Sequence, residues 1–200
     1  MNSLPLVDLF AEDHAHEAFL RAVVMRFERE KGKPLHMRIR NARGGHGRVM
    51  SELKLFQRSV LKQTMGSDVL PDMLIVAIDA NCQRLNAARK EIENAIEKEF
   101  KDRTVIACPD PHIEKWYLAD GHSFFRVVGK EPRHIKEKCE RGRYKSLLSE
   151  TIHAAGHPSI LGGIEFAEDL VNDMHFYRAG KTDRSLQIFI EELERHIDQL

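Results

Sequence analysis

The sequence has few cysteines, no long apolar run and no excess of either charge. Its 200 residues include three cysteines, Cys82, Cys108 and Cys139, which are widely spaced and form no CxxC pair. A scattered, odd set of cysteines is typical of a reduced protein rather than of a disulfide framework, so we expect a cytoplasmic location. No apolar run approaches the roughly 18 residues that a membrane-spanning helix needs. The N-terminus also lacks a basic segment followed by an apolar stretch, so we expect neither a membrane segment nor an export signal.

The formal net charge is zero, because 31 Lys and Arg residues balance 31 Asp and Glu residues. This balance excludes a uniformly basic nucleic-acid coat protein but leaves local patches open. Hydrophobic residues make up 42% of the chain and charged residues 31%, a composition that can build a core and does not indicate disorder. A chain of this length corresponds to one domain, or to one domain with an extension.

Short apolar runs alternate with helical patterns in the first half of the chain. The predicted strands are Leu4–Phe10, Leu35–Ile39, Met73–Ile78 and Val105–Cys108. The first and third are too uniformly apolar for a strand with one exposed face, which predicts that they lie at the centre of a parallel sheet. Apolar residues at helical spacing predict helices over 14–31, 47–65 and 83–99. This alternation predicts an α/β fold with a mainly parallel sheet flanked by helices.

The second half of the chain lacks strand patterns. Helices are predicted near 112–119, 121–128, 144–154, 163–174 and 184–198. Glycine and proline separate these helices, which are too short to form an independent core. We therefore predict an α/β core over residues 1–120 and a helical extension over 121–200 that packs on it.

Acidic residues follow several of the predicted strands. Ligands of open α/β sheets bind beyond the carboxyl ends of the strands, so Glu12, Asp79 and the later Glu114 and Asp120 are expected to converge there. Carboxylates that converge repel one another unless a cation lies among them, and oxygen ligands suit Mg²⁺ or Mn²⁺. The alternative for any single residue is helix capping, for which Asp13 is well placed.

Three blocks of the sequence resemble a known family. They are Phe10–Asp13, Leu74–Asn81 and Ile113–Asp120, and the last, with its Ile-Glu-x-Trp-x-Leu-Ala-Asp pattern, is the most specific. The chain resembles the Toprim-like proteins of unknown function that are encoded beside ATPases in prokaryotic anti-phage defence loci. These are related to the Toprim domains of overcoming-lysogenization-defect nucleases. The resemblance covers nearly the whole chain and implies a Toprim-like, Rossmann-like fold.

The resemblance also implies roles for individual residues. Toprim domains hold Mg²⁺ with a Glu after strand one and an Asp-x-Asp after a later strand, and Glu12 and Asp79 match the first acid of each motif. The chain departs from the pattern at Asp13, which replaces a glycine, and at Asn81, which replaces the second aspartate. Asn81 still offers a carbonyl oxygen, and Glu114 could restore the missing charge. The implied ligands of Mg²⁺ or Mn²⁺ are therefore Glu12, Asp79, Asn81 and Glu114.

A basic segment lies between Glu12 and Asp79 in the sequence. Residues 31–62 contain nine Lys or Arg residues and one acid, a local balance of +8. Within it, a glycine-rich loop is expected to bring backbone N–H groups and basic side chains to a nucleic-acid phosphate. The predicted nucleic-acid ligands are Arg40, Arg43, Gly44, Gly45, His46 and Arg48. The alternative is a solvated loop in which the glycines serve only to turn the chain.

A second basic cluster spans residues 130–145, with seven basic and three acidic residues. The resemblance implies a basic residue near the scissile phosphate in this region, for which Lys145 is the candidate, with Glu12 and Asp79 as the other catalytic residues. A solvated helix face is the alternative explanation of this cluster.

Two classes of function compete. The first is a metal-dependent nuclease that acts as the effector of an ATPase-associated anti-phage system. The second is a catalytically degenerate binding subunit, favoured by Asn81, that holds nucleic acid or an ATPase partner without cutting. The sequence does not distinguish DNA from RNA or tRNA as substrate, and it leaves homo-oligomer formation open.

Overall fold

The computed structural model describes residues 3–40, 42–62, 69–133, 135, 140 and 142–200. Its strands are β1 (Leu6–Ala11), β2 (His36–Arg40), β3 (Met73–Ala77) and β4 (Thr104–Ala107). They form one sheet in the order β2-β1-β3-β4, and every neighbouring pair is parallel. Each strand lies within about two residues of its predicted position. The predicted α/β, Rossmann-like fold is therefore confirmed.

The order in which the chain adds strands to the sheet reverses between the two central strands, β1 and β3. The chain passes from β1 outward to β2, and from β3 outward to β4 on the opposite side. The carboxyl ends of β1 and β3 therefore flank a topological switch point, where such sheets bind their ligands. Both strands are buried over nearly their whole length, as their apolar sequences predicted.

Helices occupy most of the remaining described chain. They are α1 (His14–Lys31), α2 (His46–Lys62), α3 (Leu85–Ala95), α4 (Glu114–Tyr117), α5 (Gly121–Val128), α6 (Arg143–Ala154), α7 (Ala167–Asp173), α8 (Phe176–Thr182) and α9 (Arg184–Gln199). Short 3-10 segments precede β4 and α7, at Lys98–Arg103 and Ile164–Phe166. Among the described residues, no helix combines the length and apolar character needed to cross a bilayer.

Several helix boundaries differ from the predicted ones. The predicted helix 83–99 ends at Ala95, and the helix predicted over 112–119 is reduced to the single turn α4. This turn stays short because Asp120 begins α5 by accepting a hydrogen bond from the Ser123 N–H. Helix α8 was not predicted, since seven residues are too few to show a periodicity. The end of the predicted helix 47–65, residues 63–65, lies outside the described residues.

Helix α1 shows how the sequence sets both of its ends. The Asp13 side chain caps the N-terminus by accepting the His16 N–H. Gly32 ends the helix in the left-handed region, at φ 64°, and donates its N–H to the Glu28 carbonyl. Glycine reaches this conformation without the steric cost that a side chain would add. These two ends fix where α1 starts relative to β1, and hence where its first turn lies.

The two faces of the sheet carry separate apolar cores. On one face, α2 and α3 pack around Phe10, Phe56 and Phe100. The other face is covered by α1 together with the C-terminal helices, and Trp116 of α4 stacks on Phe189 of α9 at 5.2 Å between ring centres. The Trp116 indole N–H also donates to Ser185 at 2.8 Å. The C-terminal helices therefore share one continuous core with the sheet.

Candidate metal centre

The ends of the two central strands bring Glu12 and Asp79 together. Glu12 directly follows β1, and its N–H donates to the Ala77 carbonyl of β3 at 3.1 Å. The Asp79 N–H in turn donates to Glu12 Oε2 at 2.9 Å. A carboxylate oxygen of Glu12, one of Asp79 and a ring nitrogen of His16 all lie within 4.8 Å of one another. This separation is short enough for the three side chains to share one cation.

His16 lies on the first turn of α1 and has no exposed surface. Its Nδ1 is 2.8 Å from Asp13 Oδ1, and its Nε2 is 3.0 Å from Asp79 Oδ1. Asp13 therefore both caps α1 and fixes the orientation of the imidazole ring. A carboxylate that holds one ring nitrogen while the other nitrogen faces the site is the arrangement found behind metal-binding histidines.

His112 approaches the same aspartate from the other side. Its Nδ1 lies 3.1 Å from Asp79 Oδ2, so each carboxylate oxygen of Asp79 has an imidazole partner. His112 follows β4 in a loop that is tied to the end of β3, because the Asn81 N–H donates to the Pro111 carbonyl at 2.9 Å. Asp79 is thus positioned by groups from three segments of the chain.

The ionisation of these groups is strongly linked. Burial raises the pKa of Glu12, and the Asp79 N–H and His16 offset this only in part. Burial opposes charge on Asp79 as well, but His16 and His112 outweigh it and lower its pKa. Asp13 behaves in the same way, since its hydrogen bonds to His16 bring its pKa to about 2. Although burial also disfavours a charged His16, the Asp79 and Asp13 carboxylates hold its pKa well above the usual range.

Glu114 belongs to the same electrostatic group but is not part of the three-residue cluster. Burial raises its pKa, and the nearby Asp79 and Asp13 charges add to the shift. Asn81 adopts a left-handed conformation at φ 52°, and its side-chain amide donates to the Asp79 carbonyl at 3.2 Å. The neighbouring Cys108 thiol is buried, which raises its pKa to about 12 and leaves it unsuited to act as a nucleophile.

The glycine-rich loop contacts the backbone of the site. The N–H groups of Gly44 and Gly45 both point to the Glu12 carbonyl, at 3.2 and 3.4 Å. These two donors therefore hold the loop over the end of β1 instead of facing a phosphate. Arg43 lies beside them and forms an ion pair with Glu17 of α1. The loop thus places one arginine next to the site.

The other charged side chains predicted to bind nucleic acid pair with acids outside the cluster of Glu12, His16 and Asp79. Arg40 pairs with the buried Asp8 of β1, with Nε at 2.8 Å from Oδ1. Arg48 pairs with Glu52 one turn along α2, at 2.6 Å, and His46 pairs with Glu91 of α3 at 3.0 Å. Lys145 is exposed on α6, a helix that packs against α4.

Asp120, which the sequence predicted to converge with the other acids, belongs to a different network. It is buried beneath α8, where Arg178 donates to both of its oxygens at 2.6 and 2.7 Å. Its sequence position after α4 gave no sign of this, because the partner lies 58 residues further along the chain.

His16 is not among the metal ligands predicted from the sequence, although a usable pattern was present. It lies on the apolar stripe of α1 with Phe19, Leu20 and Val23, at positions i, i+3, i+4 and i+7. A histidine on such a stripe must find polar partners when it is buried, and the acids around it in the sequence were the nearest choices. The partnership with Asp79 could not be found this way, since it spans 63 residues.

Searches against family models, curated proteins and solved structures returned no match for this chain. Two carboxylates and an imidazole nitrogen form a donor set that suits Mn²⁺ and can accept Mg²⁺, whose oxygen ligands are provided by Glu12 and Asp79. The donor set, its burial and the orienting role of Asp13 fit a divalent metal ion.

Proposed function

We propose that this protein is a metal-dependent nuclease that hydrolyses phosphodiester bonds with Mg²⁺ or Mn²⁺. The observation that carries the proposal is the convergence of Glu12, His16 and Asp79 within 4.8 Å at the switch point of the sheet. A divalent ion bound there would stabilise the negative charge that develops on the phosphate and would lower the pKa of an attacking water.

The side chains of the site would either bind the ion or orient the residues that bind it. Glu12 and Asp79 would supply the carboxylate ligands of the ion, and His16 would supply Nε2 once it has lost its proton. Asp13 holds the His16 ring through Nδ1, while His112 holds the second oxygen of Asp79. Because each donor is fixed by a second group, little reorganisation is needed when the ion binds.

Arg43 is the basic residue best placed to meet the substrate. Its ion pair with Glu17 keeps the guanidinium beside the loop that crosses Glu12, while more than half of its side chain stays exposed. Such an arginine would position a phosphate group of DNA or RNA next to the metal ion. The resemblance to defence-associated Toprim-like proteins adds the proposal that an ATPase partner gates this activity and that the system acts against phage.

Replacement of Asp79 tests the proposal. We expect Asp79→Ala to reduce Mg²⁺- or Mn²⁺-dependent cleavage of DNA, RNA or tRNA at least roughly a hundredfold, because it removes a ligand of the ion that stabilises the transition state. Nucleic-acid binding should change little, since affinity comes from basic residues. Asp169→Ala, an exposed acid on α7, is the matched control. The assay should include ATP and any ATPase that is encoded beside this protein, and unchanged cleavage by Asp79→Ala would contradict the proposal.

A binding subunit without catalysis is the second candidate. Asn81 favours it, because the residue that replaces the second aspartate uses its amide on the Asp79 carbonyl. If the complete complex cleaves no DNA, RNA or tRNA with either metal, this candidate replaces the first. Restoration of the missing acid by Asn81→Asp would then be the direct way to ask whether the degenerate position is responsible.

A further inference from the structure

A cavity of about 400 Å³ lies between α1 and the segment 161–168, which packs against that helix. His14, Ala18, Arg21 and Met25 line it at positions i, i+4, i+7 and i+11, so one stripe of α1 forms a wall over about three helical turns. The volume falls within the range of about 300 to 1,000 Å³ that is typical of sites for small ligands. We call this space the α1 cavity.

One end of the α1 cavity lies beside the candidate metal centre. Glu17 lines the cavity and follows His16 directly on the first turn of α1. Its carboxylate pairs with Arg43, which belongs to the loop that crosses the Glu12 carbonyl. The ion pair therefore joins the rim of the cavity to the metal centre. A polynucleotide held at the metal centre could place a neighbouring nucleotide at this rim.

Apolar side chains contribute to both walls. Helix α1 provides Ala18, Ala22 and Met25, and the opposite segment provides Leu161 and Ile164. The two alanines leave room because their side chains are short. Leu161 is 49% exposed, so the cavity is open to solvent at this wall. A ligand with a flat apolar face would gain free energy by covering these side chains.

The charges around the cavity disfavour an anionic ligand. Three carboxylates line it, those of Glu17, Glu165 and Glu168. Arg43 compensates Glu17, and three N–H groups of the segment 160–163 donate to Glu165 at 2.9 to 3.3 Å. Glu168 has no hydrogen-bond or ion-pair partner among the described residues. A phosphate inside the cavity would therefore be repelled, whereas an uncharged group would not.

The cavity also offers side chains that are available to bind a polar edge. Within the described part of the chain, the side chains of His14 and Arg21, like that of Glu168, make no hydrogen bond or ion pair. Arg21 and His14 are exposed, so they can turn towards a ligand. The cavity thus combines apolar walls with free donors and a free acceptor, as sites for small organic groups do.

The segment opposite α1 is held in place by its own contacts. Gly163 has a φ of 99°, and a Cβ atom there would lie 2.5 Å from Ile152 and 2.8 Å from Leu148 of α6. The Ser159 and Ser149 hydroxyls are 2.8 Å apart and fasten the same segment to α6. The position of the Leu161 wall is therefore set before any ligand binds, which lowers the entropic cost of binding.

We propose that the α1 cavity receives a single unpaired nucleobase, so that the protein acts on nucleic acid next to a base that lies outside a helix. This inference rests on the proposed nuclease function and adds the substrate class. A base is flat and uncharged, and its edge carries both donors and acceptors, whereas its phosphate stays outside the cavity. A base within a duplex must first leave its stack, which costs free energy that an unpaired base does not lose.

Two duplexes that differ in one base test this inference. One contains a single bulged 2-aminopurine, a fluorescent base whose emission is quenched by stacking, and in the other the same base is paired. We expect the bulged duplex to bind about tenfold more tightly in fluorescence anisotropy, because its base need not be unpaired. Its 2-aminopurine emission should rise on binding. DNA and RNA versions are titrated in EDTA and again with Ca²⁺, which also takes carboxylate ligands.

Variants of each wall show whether the α1 cavity is responsible. Leu161→Ser removes apolar surface, and Ala18→Met fills the space with a flexible side chain. Each should reduce the preference for the bulged duplex about fivefold and diminish the rise in emission, because less apolar surface meets the base. Binding of the fully paired duplex should not change. Because Leu161 is exposed, Leu161→Ser keeps the test valid if Ala18→Met fails to fold.

Ile160→Ser is the matched control. This neighbouring apolar residue is 81% exposed and does not line the cavity, so the substitution should leave both the preference and the emission unchanged. Binding of neither duplex, equal affinity of the wild type for both, or a preference that survives in both cavity variants would overturn the inference. Loss of cleavage with an intact preference would count against the nuclease proposal instead. If only DNA or only RNA shows the preference, that polymer is the ligand.

Discussion

In the part of the chain that the structure describes, two groups of carboxylates that are buried or half-buried are compensated in different ways. In the helical part, Asp120 accepts from Arg178, Ser123 and the His175 N–H. Asp183 likewise pairs with Lys115 and caps α9. At the carboxyl ends of β1 and β3, by contrast, Glu12 and Asp79 face each other, and the nearby cations are titratable histidines.

This difference separates acids that stabilise the fold from acids that can bind a ligand. Burial opposes ionisation of Asp120, but the Arg178 guanidinium outweighs it and holds the pKa of that carboxyl well below its usual range. Glu12 and Glu114 have the opposite shift, because burial raises their pKa and neighbouring carboxylates add to it. In the first region, Arg178 is always charged and compensates the charge of Asp120. In the second region, a bound proton or a divalent ion would stabilise the carboxylates most.

The largest effect on stability is expected at Asp120. Asp120→Asn should lower the free energy of unfolding by about 2 kcal/mol, because it leaves Arg178 without its carboxylate and disturbs the start of α5. Chemical denaturation of the metal-free protein measures this.

Glu12→Gln is the matched substitution at the other region. In EDTA it should leave the free energy of unfolding unchanged or raise it by up to about 1 kcal/mol, since it removes one of several like charges. The amide oxygen of glutamine can still accept the Asp79 N–H. If Glu12→Gln destabilised the protein as much as Asp120→Asn does, the two regions would not differ in the way described.

The pH dependence of stability should sharpen the contrast. The raised pKa of His16 means that its imidazolium stabilises the fold fully below pH 6.5 and that this contribution is lost as the pH rises through the folded-state pKa. The contribution of Asp13 depends on pH in the opposite direction. Because its pKa is about 2 in the folded protein, it stabilises the fold above pH 3.8, and this contribution is lost as the pH falls towards 2. Without metal, the stability should therefore decline above pH 6.5, with a slope approaching about 1.4 kcal/mol per pH unit.

Urea denaturation at several pH values measures this decline, and His16→Gln should flatten it. Added Mn²⁺ should reverse the trend, because the ion competes with the proton on His16 Nε2 and so stabilises the fold more at higher pH. A decline that persists undiminished in His16→Gln would show that other groups cause it.

The smallest effect is expected at the exposed arginine pairs. Arg48→Ala should change the free energy of unfolding by less than about 0.5 kcal/mol, because its ion pair with Glu52 is exposed to solvent. Thermal unfolding in low and high salt measures the difference. A loss as large as that of Asp120→Asn would mean that the pair contributes to the fold and is not simply a surface charge.

The sequence predicted the two central strands well because they are buried over nearly their whole length. The apolar runs around Leu9 and Ile75 have no polar alternation, which is how central parallel strands differ from exposed ones. The convergence of Glu12 and Asp79 followed from sheet topology, since both residues lie just beyond the end of a central strand. These expectations needed only local patterns and one principle of sheet topology.

The rest of the site depends on contacts between distant residues. Asp8 interrupts an apolar strand, and only the structure shows that Arg38 and Arg40 of β2 satisfy it. The glycine-rich loop was expected to hold a phosphate, yet the Gly44 and Gly45 N–H groups contact the Glu12 carbonyl. The register between strands and the geometry of the loops determine such contacts. Neither can be predicted from the periodicity of the sequence.

The location of a bound metal ion tests the central claim most directly. Crystals soaked in Mn²⁺ above pH 7 should show an anomalous difference peak in contact with carboxylate oxygens of Glu12 and Asp79 and with His16 Nε2. The oxygen distances should be about 2.1 Å, as expected for a small divalent ion. The same experiment on Asp79→Ala should show no peak at this position. A saturating soak that leaves the wild-type site without a peak, or that places Mn²⁺ away from Glu12 and Asp79, would contradict the account.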